Sequence, residues 1–185
     1  MRTGKRFIMR PMAENAVRIF LDTNVLLSGF LSMTGAPRLI LDVLASDQSF
    51  VEAATGQYNI LEIERNLERK LLKAVPVYKE VFAKIRLTIV PLPTLEETVE
   101  ARWAAGAAPK DLAVLVSAAS WRADFLVTGD KKHFDGLKAG SEGISEAKSV
   151  SGSAGGIPFR IINPAELVDN VLPEAFGKMR ASKSL

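Results

Sequence analysis

The chain of 185 residues contains no cysteine and only one histidine, His133. Disulfides, zinc–thiolate sites and cysteine nucleophiles are therefore excluded, and a reducing compartment is allowed. No run approaches the roughly 18 consecutive apolar residues of a membrane-spanning helix. The basic N-terminal stretch surrounds only three apolar residues, Phe7 to Met9, whereas a secretory signal needs an apolar core of roughly 7 or more. We therefore expect a cytoplasmic protein with no membrane partner.

The composition is that of a globular domain, since 48% of the residues are apolar and the length is near that of a single domain. We expect this domain to cover 17–172, with an N-terminal extension over 1–16 and a tail over 173–185. Residues 136–157 are rich in Gly and Ser and predict a flexible insertion. The formal charge of +3 is weak evidence for a polyanionic partner, because the termini carry much of the basic excess.

Short apolar runs alternate with helical patterns, which predicts a parallel sheet covered by helices on both faces. The predicted strands are 17–21, 49–54, 87–90, 125–128 and 158–162. The predicted helices start near Val25 and Pro37, cover 59–74, 77–86 and 111–122, and start again after Thr94 and Asn163. The segment 59–74 is the clearest helix, because its apolar residues recur at helical spacing. Thr94 and Glu97 have the spacing of a capping box.

Four acidic residues next to apolar segments stand out: Asp22, Glu62, Asp111 and Asp130. Asp22 and Asp130 follow predicted strands, and the carboxyl ends of parallel strands are where open α/β sheets place their sites. Carboxylates there are costly unless water, hydrogen bonds or a cation meets them. Several of them together would suit Mg²⁺ or Mn²⁺. Without cysteine, and with one histidine, a metal-activated water is the simplest nucleophile.

Each acid also has an ordinary structural explanation. Asp111 suits the cap of its helix, and Asp22 suits an Asx turn after its strand. Glu62 lies away from the apolar stripe of the 59–74 helix, whereas Glu64 flanks it, so periodicity does not favour Glu62 as a site residue.

The order of these motifs resembles the PIN-domain family of metal-dependent ribonucleases. The motifs are Leu21-Asp22-Thr23-Asn24, Leu61-Glu62-Ile63, Lys110-Asp111-Leu112 and Val127-Thr128-Gly129-Asp130. The likeness covers roughly 17–172 and is most specific over 111–130. It implies a three-layer α/β/α fold with a short, mainly parallel sheet. It also implies that Asp22, Glu62, Asp111 and Asp130 form the catalytic metal site for Mg²⁺ or Mn²⁺, with Asn24 and Thr128 orienting these acids.

Within the family, the single-domain architecture resembles VapC-type toxins. That resemblance implies an RNA substrate, a homodimer, and an antitoxin protein whose tail fills the acidic cleft. Arg65 and Arg69, with Lys73, share a broad helix face with Glu62 and would either contact RNA phosphates or form a solvated charged face. The segment from Lys131 to His133 either binds substrate or forms a surface turn. Trp103 and Trp121 are expected to pack in the core.

The expected function is therefore that of a metal-dependent endoribonuclease, a hydrolase of RNA phosphodiester bonds and a candidate toxin. The alternative is a PIN-like protein- or RNA-binding module with little or no cleavage. Four acids favour the active enzyme, because close carboxylates repel by roughly 1 kcal/mol or more per pair even in a wet site. Receiver domains and haloacid-dehalogenase-type phosphatases are disfavoured, because both need a further acid near Asp22 and Asn24 occupies that position.

Overall fold

A five-stranded, fully parallel sheet forms the centre of the protein, as the sequence predicts. The computed structural model describes residues 16–46, 49–101, 104, 107–130 and 158–182. The strands are β1 (Val17–Leu21), β2 (Val51–Gly56), β3 (Thr88–Val90), β4 (Phe125–Val127) and β5 (Arg160–Ile162). Their spatial order is β3-β2-β1-β4-β5. β1 is the central strand, and the order reverses between its two neighbours, β2 and β4.

The helices that connect these strands are α1 (Thr23–Leu31), α2 (Ala36–Ala45), α3 (Gln57–Lys70), α4 (Val75–Lys84), α5 (Leu95–Glu100) and α6 (Pro109–Ser120). After β5 the chain continues through α7 (Pro164–Glu166), a π-helical turn (Leu167–Val171) and α8 (Leu172–Ser182). The predicted capping box of Thr94 and Glu97 is present at the start of α5. Among the described residues, no helix combines the length and apolar character needed to cross a membrane.

Alternation along the strands divides the core into two layers. In β1, Ile19 and Leu21 face a cluster formed with α1, α2, α3 and α8, whereas Phe20 faces a second cluster formed mainly with α6. In β4, Val127 joins the first cluster and Leu126 the second. Strands buried on both faces read as continuous apolar runs, which is why these segments lack polar alternation. The result is the three-layer α/β/α fold that the sequence predicts.

Two helical segments differ from the sequence prediction. The predicted helix 59–74 is α3 followed by a break at Leu71 and a 3₁₀ turn over Leu72–Ala74. Pro76 explains why the helix does not run on, since it has no N–H to donate to a preceding carbonyl but fits the first turn of α4. The segment predicted as a tail is helical to Ser182, and Ala175 is buried in the core.

Candidate active site at the carboxyl end of the sheet

Asp22 lies where the central strand ends and α1 begins. It is the N-cap of α1, and its Oδ1 accepts a hydrogen bond of 2.7 Å from the backbone N–H of Thr23. Its own backbone N–H donates to the carbonyl of Val127 at 3.1 Å, which continues the pairing between β1 and β4. Capping explains the local structure, because an aspartate satisfies an orphan N–H of the first helical turn. It leaves the second carboxylate oxygen, Oδ2, for other partners.

Those partners are the side chains of Asn24 and Thr128. Thr128 Oγ1 donates to Asp22 Oδ2 at 2.8 Å, and Asn24 Nδ2 donates to the same oxygen at 3.0 Å. Asn24 Nδ2 also donates to Thr128 Oγ1 at 3.2 Å, and Asn24 Oδ1 accepts from the Gly129 N–H at 2.8 Å. Asn24 therefore bridges the segments that follow β1 and β4. That these contacts orient Asp22 for catalysis stays a prediction.

The electrostatic state of Asp22 is unusual for an aspartate that accepts three hydrogen bonds. Burial raises the pKa of Asp22 above its ordinary value of 3.8, although the hydrogen bonds from Thr128 and Thr23 lower it. The negative charges of Glu62 and Asp111 raise the pKa of Asp22 further. Its donors among the described residues are neutral groups: a backbone N–H, an amide and a hydroxyl. Like charges near a partly buried carboxylate disfavour its ionised form, and a cation would relieve that cost.

Glu62 and Asp111 reach this position from different helices. Glu62 is half-buried in the second turn of α3, although helical periodicity does not favour it. Asp111 is half-buried in the first turn of α6, where an acid is favoured by the helix dipole. It is not the cap of α6, which is Ala108. Both carboxylates are near enough for their charge to act on Asp22.

Asp130 is connected to the same residues through Thr128. Its backbone N–H donates to Thr128 Oγ1 at 3.2 Å, and the residue is half-buried just beyond the end of β4. Within the described part of the chain, no group of three or more acidic or histidine side chains is close enough to form a ready-made metal site. The fourfold acidic metal site that the sequence predicts therefore remains a prediction.

The chemistry of the side chains nevertheless fits a hard divalent cation. Asp22, Glu62 and Asp111 offer carboxylate oxygens, and Asn24 and Thr128 add neutral polar groups next to Asp22. Oxygen ligands of this kind suit Mg²⁺ and Mn²⁺ rather than soft transition metals. The position of Asp22 within reach of the negative charges of Glu62 and Asp111 is compatible with such an occupant.

Sequence reasoning missed two buried polar residues beside the site, Thr55 and Asn59. Both are fully buried. Thr55 Oγ1 donates to the carbonyl of Leu21 at 2.8 Å, and Asn59 Nδ2 donates to the same carbonyl at 3.1 Å and to Thr55 Oγ1 at 3.0 Å. The sequence could have indicated these residues, because Thr55-Gly56 directly follows the predicted strand 49–54 and Asn59 lies in the first turn of α3.

The remaining candidates lie apart from this network or outside the description. Arg65 and Arg69 are exposed on α3. Trp121 packs against the second core cluster, as predicted, and Arg18 lies over its ring at 4.2 Å from the centroid. Trp103, the segment 131–133 and the Gly/Ser-rich segment 136–157 lie outside the described residues.

The protein is an open parallel α/β protein. Proteins of this class place their sites at the carboxyl ends of the strands, where the strand order reverses, and Asp22 lies at that point. Comparison with protein families identifies the class more closely. The sequence profile of the PIN domain matches residues 18–132, which is more than half of the chain. The chain therefore belongs to the PIN-domain family.

Solved structures support the same fold. One similar chain comes from a crystal structure of VapBC2 from Rickettsia felis bound to a DNA fragment from their promoter, with 13% identity and a TM-score of 0.54. Another comes from DNA-bound VapBC of Salmonella typhimurium, with 15% identity and a TM-score of 0.54. Each match covers 80% of this chain and 98% of the other chain. No curated protein matches the chain in sequence. At these identities the structural likeness concerns the fold alone.

Proposed function

We propose that the protein is a divalent-metal-dependent endoribonuclease that hydrolyses RNA phosphodiester bonds. The observation that carries this proposal is the position of Asp22, at the end of the central strand and within the electrostatic reach of Glu62 and Asp111. Membership of the PIN-domain family supports the same reaction class. Hydrolysis of a phosphodiester places negative charge on the phosphoryl oxygens, and a bound cation would stabilise that charge.

In this proposal Asp22, Glu62, Asp111 and Asp130 hold Mg²⁺ or Mn²⁺. When bound, the ion supplies charge neutralisation at the phosphate and a more acidic water. Thr128 and Asn24 keep the Oδ2 of Asp22 in a fixed direction through their hydrogen bonds of 2.8 and 3.0 Å. Because the neighbouring acids oppose the ionisation of Asp22, the same acids provide the driving force for cation binding.

The substrate would approach along α3. Arg65 and Arg69 follow Glu62 at three and seven residues, so one side of the helix carries the acid and both exposed arginines. Arginine forks match phosphate oxygens in pairs, which suits a polyanionic strand beyond the acidic site. If the two arginines only form a solvated charged face of the helix, replacing both should leave cleavage unchanged.

A cleavage assay on total RNA tests the proposal directly. The parent protein should cut RNA in Mn²⁺ or Mg²⁺ and stop in EDTA. Asp22→Asn keeps the size of the side chain, removes its charge and should abolish cutting. The matched control is Asp169→Asn, which removes an exposed aspartate from the π-helical turn and should cut like the parent. A folded parent that binds RNA without cutting it under all metal conditions would support the alternative of a binding module.

A second candidate role is that of the toxin in a toxin–antitoxin pair. The observation that favours it is the fold shared with chains of two VapBC structures. Under this role the protein forms a homodimer, and an antitoxin segment with a basic side chain occupies the acidic cleft. Expression in bacteria is the test: growth arrest that Asp22→Asn relieves supports a toxin. Harmless accumulation of an active nuclease supports a role in RNA processing.

A further inference from the structure

The carbonyl of Leu21 is held by side chains from a neighbouring strand and helix. The pairing of β1 with β2 runs in register from Val17 with Val51 to Phe20 with Ala54 and ends there. Beyond it, Thr55 Oγ1 and Asn59 Nδ2 donate to the Leu21 carbonyl at 2.8 and 3.1 Å. Two side-chain donors therefore extend the connection between the strands at the residue before Asp22.

Burial makes this arrangement specific. Thr55 and Asn59 have no exposed surface, and a buried polar group without a partner costs about 1 to 3 kcal/mol. The bond of 3.0 Å between Asn59 Nδ2 and Thr55 Oγ1 links the two donors to each other as well as to the carbonyl. Displacing the first turn of α3 from the end of β1 would break these hydrogen bonds between buried groups.

The same arrangement connects two of the candidate acids. Leu21 precedes Asp22 in the chain, and Asn59 precedes Glu62 by one helical turn on α3. Asp22 and Glu62 come from separate elements, and α3 makes its first-turn contact with the end of β1 through Asn59. The distance between the two carboxylates therefore depends on the bonds at the Leu21 carbonyl.

We propose that Thr55 and Asn59 are positioning residues that set Glu62 against Asp22 for cation binding. This role rests on the proposed metal-dependent function. Neither residue touches the substrate or the ion; both act through the backbone of β1 and the first turn of α3. Partners of this outer kind typically change metal affinity or activity by about 10- to 100-fold when they are removed.

Thr55→Val removes the hydroxyl and keeps the shape of the side chain, and Asn59 Nδ2 still reaches the Leu21 carbonyl. Thr55→Ser keeps the hydroxyl and tests rescue. Asn59→Ala removes the bond from α3. The matched control is Ser117→Ala: Ser117 is buried beside Gly56, and its Oγ has no hydrogen-bond partner among the described residues.

The primary measurement is the dissociation constant of Mn²⁺, obtained from the concentration of free Mn²⁺ that electron paramagnetic resonance reports. We expect it to rise by about 10-fold or more in Thr55→Val and Asn59→Ala, and to keep the parental value in Thr55→Ser and Ser117→Ala. Thermal unfolding of each variant identifies the temperature at which all of them are folded, and cleavage is then compared there. We expect kcat at saturating RNA to fall while KM changes little.

A double-mutant cycle separates positioning from general stability. In a Glu62→Gln background, Thr55→Val should change the Mn²⁺ dissociation constant much less than it does in the parent, because the acid that it positions is gone. Equal effects in both backgrounds, or parental Mn²⁺ affinity and kcat in folded Thr55→Val and Asn59→Ala, overturn the positioning role alone. A parent that binds no Mn²⁺ and leaves RNA uncut overturns the proposed function and, with it, this role.

Discussion

The two ends of the parallel sheet differ in the signs of the charges that lie next to each other. At the amino end, Arg18 lies 3.7 Å from Glu52, stacks over Trp121, and donates its backbone N–H to Asp124 Oδ2 at 2.8 Å. At the carboxyl end, Asp22 is surrounded by neutral donors and by the like charges of Glu62 and Asp111.

At the amino end, charges of opposite sign from the chain itself lie beside Arg18, whereas the charges that act on Asp22 at the carboxyl end are of its own sign. The raised pKa of Asp22 at the carboxyl end is typical of functional sites, where perturbed pKa values cluster. Residues at the amino end should therefore affect stability, and residues at the carboxyl end should affect the chemistry that we propose.

The largest expected effect is the loss of cleavage when an acid is neutralised at the carboxyl end. Asp111→Asn should lower kcat by more than about 100-fold, beyond the loss typical of an outer partner of a metal ligand. Asp124→Asn makes the same chemical change at the amino end and should leave kcat at the parental value. The measurement is the initial rate of RNA cleavage in Mn²⁺; equal losses in both variants would remove the distinction between the two ends.

The next effect is stabilisation by the metal. Mn²⁺ at about 100 times its dissociation constant should raise the free energy of unfolding of the parent by about 2.7 kcal/mol through mass action. EDTA should reverse the gain, and Asp22→Asn should show little of it. Thermal unfolding with and without Mn²⁺ measures this, and the prediction fails where parent and variant gain equally.

A smaller effect is expected at the amino end. Arg18→Ala removes the stacking on Trp121 and the pairing with Glu52, and should lower the free energy of unfolding by about 1 to 2 kcal/mol. Cleavage by the folded variant should be unchanged. Lys84→Ala, which breaks an exposed pair with Glu80 within α4, is the control and should unfold at nearly the parental urea concentration. A loss of cleavage in folded Arg18→Ala would contradict a purely structural amino end.

The smallest effect concerns pH. Because the pKa of Asp22 is raised above its ordinary value of 3.8 by burial and by neighbouring acids, the metal-free folded state binds a proton more tightly than the unfolded state. Stability is therefore lost as the pH rises from about 3.8 through the folded pKa. Relative to Asp22→Asn, the metal-free parent should become less stable as the pH rises from about 3.8 through the folded pKa of Asp22. Urea unfolding at several pH values measures this difference, and a constant difference would contradict it.

The sequence by itself determined the alternation of strands and helices, because doubly buried strands appear as short apolar runs and amphipathic helices as periodic ones. The same local signals placed Asp22 after the first strand and Thr94 at a helix start. The break of the long helix at Leu71 was not predicted, although Pro76 is a signal for it in the sequence. The helix at 172–182 was not predicted because it depends on docking against the core.

Only the tertiary structure decided which charges face each other. Glu62 gives no periodic signal for a site, yet α3 brings its charge within reach of Asp22, and Asp111 arrives from α6 on another part of the chain. The role of Thr55 and Asn59 at the Leu21 carbonyl was equally hidden. Local sequence encodes local backbone preferences, whereas distances between carboxylates on separate elements depend on how those elements pack, and the electrostatics of the site follows from those distances.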